Sequence, residues 1–218
     1  NEAMKLRPLL LVAAVLCAAC SHTAPTDPAM PHADPAPLRL ASYNVSLYTN
    51  QAGGLVAKLQ AGSEQAANIA AVLQTTRPDI VLINEFDYDP QGQAADLFQR
   101  QYLEVAQPAG GEPLHYAYRY LAPVNTGVPS GLDLDNDGVV GGEGRGRGND
   151  AWGYGLHPGQ YGMLVLSRYP IDAQAARTFQ LLKWHTLPGA SRPQDPETGQ
   201  PFWPDAIWQQ LRLSSKSH

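Results

Sequence analysis

Cysteine is almost absent from this 218-residue chain: the two present, Cys17 and Cys20, both fall within the first 20 residues. Whatever follows that segment folds without a disulfide, so its stability rests on core burial or bound ions. Long apolar runs are also lacking. Leu9–Leu16 is well short of the roughly 20 residues that a membrane-spanning helix needs. Positive charge is scarce, with 15 Lys and Arg against 20 Asp and Glu and a net charge of −5. That balance argues against high-affinity, sequence-independent nucleic-acid binding, which depends on neutralising phosphates. It leaves room for a small anionic substrate, because only the local field at a site matters there. No internal repeat is visible, and the length allows one domain with a sizeable core.

The first residues are not part of that core. Lys5 and Arg7 form a basic start, Leu9–Leu16 an apolar run, and Ala18-Ala19-Cys20 a small-residue end. This is the pattern of a secretory signal peptide over residues 1–19. The small-small-Cys ending resembles a bacterial lipoprotein signal, in which Cys20 becomes the lipidated first residue; an ordinary cleaved signal is the alternative. Either reading places the protein outside the cytoplasm, as a periplasmic or outer-membrane lipoprotein anchored to the membrane or as a secreted protein. Asn1-Glu2-Ala3 precede a plausible initiator, Met4. Removing residues 1–19 takes away Glu2, Lys5 and Arg7 and leaves 13 basic against 19 acidic residues, a net charge of −6. Residues 20–37 are rich in Pro and Ala and read as an extended tether.

From residue 38 the pattern becomes that of an α/β domain. Residues 38–47 predict a strand. Residues 63–77 predict a helix, with Ser63 as N-cap, Ala66, Ile69, Ala70 and Leu73 on one face, and Arg77-Pro78 at its end. Ile80–Ile83 is a continuous apolar run, as in a strand buried on both faces. Residues 92–103 read as a second helix, 114–121 and 161–167 as strands, and 176–182 as a hairpin partner for the last of these. Residues 122–160 are Gly- and Asp-rich with little periodicity, and a loop of that length is either functional or disordered. Residues 186–206 are Pro-rich, and Trp203 and Trp208 are expected to pack there.

Two runs end on a polar side chain able to work beside a metal: Ala41-Ser42-Tyr43-Asn44-Val45 and Pro78-Asp79-Ile80-Val81-Leu82-Ile83-Asn84-Glu85. A carboxylate at a strand exit suits Mg²⁺, which takes hard oxygen ligands and often only one or two carboxylates plus substrate phosphate. An Asn nearby can bond a phosphate oxygen or orient the carboxylate without adding charge. Asn44 and Glu85 are therefore the candidate site, and metal-assisted phosphoester cleavage is the chemistry they suit.

With Gly159-Gln160-Tyr161-Gly162-Met163-Leu164-Val165-Leu166-Ser167-Arg168-Tyr169-Pro170 following in order, and Leu211–His218 closing the chain, residues 38–218 resemble the endonuclease/exonuclease/phosphatase superfamily, in particular its secreted bacterial members. The resemblance implies a four-layer α/β sandwich, two packed mixed sheets flanked by helices, with a metal-binding phosphoesterase site at one end. It implies Glu85 as the ligand of Mg²⁺ or Mn²⁺ and Asn44 as the residue that orients the site or contacts the scissile phosphate. The substrate is then a phosphoester: nucleic acid, nucleotide, sugar phosphate or lipid headgroup. No protein partner is implied. Ser167 and Arg168 fall in a motif whose role is mainly architectural. The superfamily's later motifs, an Asp-x-Asn and a terminal Asp-His that supply a phosphate-orienting pair and the general base, occur nowhere in the sequence. On that ground the chain reads as the N-terminal half of such a domain, with unpaired sheet edges and an uncovered core face as the expected consequence. The alternative is an inactive fragment or a Ca²⁺-binding surface module without catalysis.

That alternative draws on Asp133-Leu134-Asp135-Asn136-Asp137-Gly138-Val139. Its D-x-D-x-D-G spacing matches the start of a Ca²⁺ loop, with Asp133, Asp135 and Asp137 as carboxylate ligands and Val139 offering its carbonyl. The bidentate Glu expected twelfth is missing: Gly144 is there, with Glu143 one place early, and Asp150 is the candidate substitute. A structural Ca²⁺ here would pin the long loop. Gly141–Gly148, with Arg145 and Arg147, lacks the Lys-Ser/Thr of a phosphate-cradling loop and reads as flexible. His22, His32, His115, His157 and His185 lie in no family motif and read as structural or surface residues.

Overall fold

The computed structural model describes residues 37–216, so the expected signal segment and nearly all of the expected tether lie outside the described residues. Among the described residues no helix is long and apolar enough to cross a membrane. The elements are β1 (Leu40–Leu47), α1 (Gly54–Gln60), α2 (Glu64–Thr76), β2 (Ile80–Phe86), α3 (Gln93–Phe98), β3 (Tyr118–Leu121), α4 (Gly144–Asn149), β4 (Met163–Ser167) and α5 (Asp205–Trp208). The strands form one mixed sheet in the order β1-β2-β4-β3. β1 and β2 run parallel, and β4 is antiparallel to both β2 and β3.

Period-two alternation decides which face is core. In β1, Val45 and Leu47 are buried while Ser42, Asn44 and Ser46 are exposed. Val81 and Ile83 of β2 and Leu164 and Leu166 of β4 continue the same buried face, and α1, α2 and α3 pack on it through Leu55, Leu59, Ile69, Leu73 and Phe98. Ser63 caps α2 as expected, its hydroxyl accepting from the Ala66 amide at 3.2 Å. Arg77 ends α2 in a left-handed conformation, and Pro78 follows. The second helix begins as α3 and closes in a π-turn, Gln99–Leu103, which brings Tyr102 inward. The Tyr102 hydroxyl donates to the Leu59 carbonyl at 2.6 Å and accepts from the Ser63 amide at 2.9 Å, so one buried phenol joins α1, α2 and α3.

Several expectations need correction. The connection between β1 and β2 holds two helices; α1 is short and its apolar residues, Leu55 and Leu59, offer only one turn of periodicity. β2 is not buried on both faces: Val81 and Ile83 are fully buried against the helices, whereas Ile80 and Leu82, on the other side of the sheet, are half-buried. Leu40, on that side, is 66% exposed. The strand over 114–121 shrinks to β3, because Leu114 and Tyr116 are used as core side chains. Residues 176–182 do not pair with β4; both edges of β4 are taken by β2 and β3, leaving Phe179 and Leu181 exposed. The 122–160 stretch is ordered. It contains α4 where a flexible loop was expected, and bridges tie Thr126 to Gly153 and Pro129 to Ala151. Its glycines permit this: a Cβ at Gly127 would fall 1.8 Å from the His157 carbonyl oxygen. Trp208 packs against Trp184, and Trp203 against Phe202, with the Trp203 indole donating to the Leu134 carbonyl.

Candidate active site

Asn44 and Glu85 meet because β1 and β2 are parallel neighbours and both are interrupted at the same level. Asn44 pairs in register with Asn84, and Leu47 with Phe86, so β1 carries one extra residue between the two pairs. Ser46 (φ 49°) and Glu85 (φ 58°) both adopt the left-handed conformation that costs a non-glycine residue energy. The kink turns Glu85 out of the core face, to the side where Asn44 and Ser46 point. Its two carboxylate oxygens are then held separately: Oε1 accepts from Asn44 Nδ2 at 2.8 Å and Oε2 from Ser46 Oγ at 3.2 Å. The Ser46 amide in turn donates to Asn44 Oδ1 at 3.2 Å. The bulge frees the carbonyls of Val45 and Ser46, and Gln65 of α2 donates its amide to both, at 3.0 and 2.9 Å. The kink is therefore braced from the helix layer.

A second, buried carboxylate anchors the loops around Glu85. Asp87 Oδ2 accepts from the Thr49 amide at 2.8 Å, and Oδ1 from the Tyr161 amide at 3.0 Å. These bonds fasten the chain after β1 and the turn before β4 to the end of β2. His157 Nε2 lies 3.9 Å from Asp87 Oδ2 and donates to the Thr49 carbonyl at 3.1 Å. Burial raises the Asp87 pKa, while the Thr49 and Tyr161 amides and the His157 charge pull it back. Lys216 reaches the same region, its ammonium donating to the Tyr161 carbonyl at 2.5 Å. Burial lowers the Lys216 pKa and the Glu85 charge opposes that shift.

Asn44 and Glu85 are thus brought together. Ser46, Asp87, Tyr161 and Lys216 were missed, although each lies in or beside a segment already singled out. Ser46 shares the exposed face of β1 with Asn44 by the period of two, and that signal was available in the sequence. Arg168 is elsewhere: it pairs with Asp79 at 3.4 Å, where β2 begins and β4 ends, the opposite end of the sheet from Glu85. His115 pairs with Glu104.

The acidic loop is a separate constellation. One carboxylate oxygen from each of Asp133, Asp135 and Asp137 lies within 4.8 Å of the others. Asp133 also accepts from the Asp137 and Gly138 amides, Asp137 from the Val139 amide, and Asp135 from the Asn149 side chain. Asp150 does not join them. It is buried, and its oxygens accept from the Leu134 and Gly141 amides, so it clasps the loop.

The family model for the endonuclease/exonuclease/phosphatase family matches residues 41–216. The chain belongs to that family. The mixed α/β architecture, with its four-stranded mixed sheet and flanking helices, agrees with this. Comparison with curated proteins and with solved structures returned no match.

Proposed function

We propose that the chain is a metal-dependent phosphoester hydrolase of this family, with Glu85 holding Mg²⁺ or Mn²⁺ and Asn44 positioning the carboxylate and the scissile phosphate. One observation carries the reading: a carboxylate is turned out at a strand exit by a left-handed backbone, and each of its oxygens spends only one lone pair on a neighbour. Hard oxygen donors with lone pairs to spare fit such a cation. A divalent ion bound there would neutralise charge on the phosphate and on the leaving oxygen. Asn44 uses one amide hydrogen on Glu85 and keeps a second for a phosphate oxygen. The reaction is in-line attack of water on phosphorus with departure of the ester oxygen. Family membership fixes the kind of bond, and the loops around the site set which phosphoester is taken. His115 and His157 are committed to Glu104 and to the Asp87–Thr49 group, so neither is assigned as the base.

The test is Mg²⁺-dependent release of nitrophenol from bis(p-nitrophenyl) phosphate by the full-length protein. Glu85→Ala is expected to lower the rate by more than about a hundredfold, since even partners of metal ligands commonly cost 10–100-fold. An unchanged rate rejects the assignment.

A second reading, a Ca²⁺-binding module, draws on the convergence of Asp133, Asp135 and Asp137. We propose a structural Ca²⁺ there with the Val139 carbonyl as a further ligand; titration calorimetry on the folded protein that shows no Ca²⁺ uptake removes it. Export and lipidation at Cys20 remain our proposal from the leader sequence, and membrane fractionation of the wild type against Cys20→Ser tests it.

A further inference from the structure

Three tyrosines from three segments meet beside the Glu85 site. The Tyr48 ring meets the Tyr161 ring edge-on, with centroids 4.5 Å apart, and Tyr154 stacks on Tyr161 at 6.4 Å with planes 26° apart. Packing would be the ordinary explanation for such a cluster, but this one is not built like the core. Tyr102 and Tyr116 are buried and spend their hydroxyls on the Leu59 and Pro78 carbonyls. Tyr154, in contrast, is 44% exposed, Tyr48 and Tyr161 are half-buried, and none of these three hydroxyls has a hydrogen-bond partner among the described residues.

Lys216 completes the group. Its ammonium stands 6.0 Å from the Tyr161 ring centroid and has one acceptor among the described residues, the Tyr161 carbonyl, which uses one of its three donors. No carboxylate pairs with it among the described residues. Burial raises the Tyr161 pKa and the Asp87 and Glu85 carboxylates add to that, while the Glu85 charge opposes the lowering that burial imposes on Lys216. Tyr161 and the Lys216 ammonium therefore share the field of the proposed metal ligand. The exposed Tyr154 ring suits stacking on a flat aromatic group, and an ammonium with donors to spare suits phosphate oxygens.

We infer that Tyr48, Tyr154, Tyr161 and Lys216 form a subsite for the base and phosphate of a nucleotide, so the substrate class is a nucleobase-bearing phosphoester and not a sugar phosphate or a lipid headgroup. This rests on the phosphoesterase reading above. A small nucleotide ester also agrees with the acidic balance of the chain.

The test is calorimetric titration of the full-length protein in Mg²⁺ with AMP, glycerol 3-phosphate and inorganic phosphate. AMP is expected to bind about tenfold tighter than glycerol 3-phosphate, the scale of one base stacking on an aromatic side chain. Tyr154→Ala removes that preference and leaves inorganic phosphate binding intact, Tyr154→Phe keeps it, and Lys216→Met weakens all three ligands. Equal binding of AMP and glycerol 3-phosphate, or an AMP preference that survives Tyr154→Ala, overturns the inference. Glu85→Gln separates the two levels. If Mg²⁺-dependent phosphate binding is lost in Glu85→Gln but the wild type shows no AMP preference, only the subsite falls. If Glu85→Gln changes nothing, the metal-site reading falls and the subsite with it.

Discussion

Residues 40–103 and residues 122–216 are held together by different means. The first region is a sheet-and-helix unit with an apolar interior: Leu47, Leu59, Phe86, Phe98 and Leu103 are all fully buried. The second contributes β4 to that sheet but otherwise has little regular structure, and it is fastened by buried polar side chains. Asn125 is its main knot. Its amide group donates to the carbonyls of Gln180 and Ser214, its side-chain oxygen accepts from Arg212, and its backbone N–H donates to the Lys216 carbonyl. Asp150 and Gln160 serve similarly within the glycine-rich stretch. Apolar burial tolerates variation in shape, whereas a buried amide must find every partner or its desolvation goes uncompensated. The proposed site lies where the two regimes join: Glu85 comes from the apolar unit, Tyr154, Tyr161 and Lys216 from the polar one.

The largest effect should come from the apolar unit. Phe98→Ala is expected to cost about 3–5 kcal/mol and to lower the urea midpoint of the whole domain. A loss confined to one part of the chain would break the contrast. Asn125→Ala should cost about 1–3 kcal/mol by leaving buried partners unpaired. Hydrogen exchange is the sharper readout there: amides of residues 122–216 should lose protection while α2 and β2 keep theirs, and uniform loss would show that the two regions unfold as one. Ser63→Ala should cost about 1 kcal/mol by removing the α2 cap, seen as a small drop in melting temperature.

The last effect has a defined sign. Burial raises the native pKa of Asp87 above its ordinary value of 3.8, so protonation favours the folded state. The stability this carboxyl contributes is complete below pH 3.8 and is lost as pH rises through its native pKa. Urea midpoints measured from pH 3 upward should therefore show the wild type losing ground to Asp87→Asn across that window. No such divergence would mean that the Thr49 and Tyr161 amides fully offset burial.

The same contrast explains what could be read from the sequence. α2 was legible to within a residue, because Ser63 caps it and Ala66, Ile69, Ala70 and Leu73 mark its buried face. The pairing of Asn44 with Glu85 was legible because both end apolar runs. The 122–160 stretch was not, since its order comes from single polar contacts such as Asp150 to Leu134 and Gly141, which have no period. The kink at Ser46 and Glu85 was hidden for a related reason: nothing in either residue's identity announces a left-handed backbone. Only the structure shows that Gln65 of α2 braces it.

Those two left-handed residues have a consequence for laboratory evolution. Glycine adopts their conformation without strain, so a library sorted only for protease resistance should drift toward glycine at 46 and 85. The same library sorted for Mg²⁺-dependent binding should refuse glycine at 85. Sequencing the two pools would mark the proposed active site as the place where selection for durability and selection for work pull the chain toward different residues.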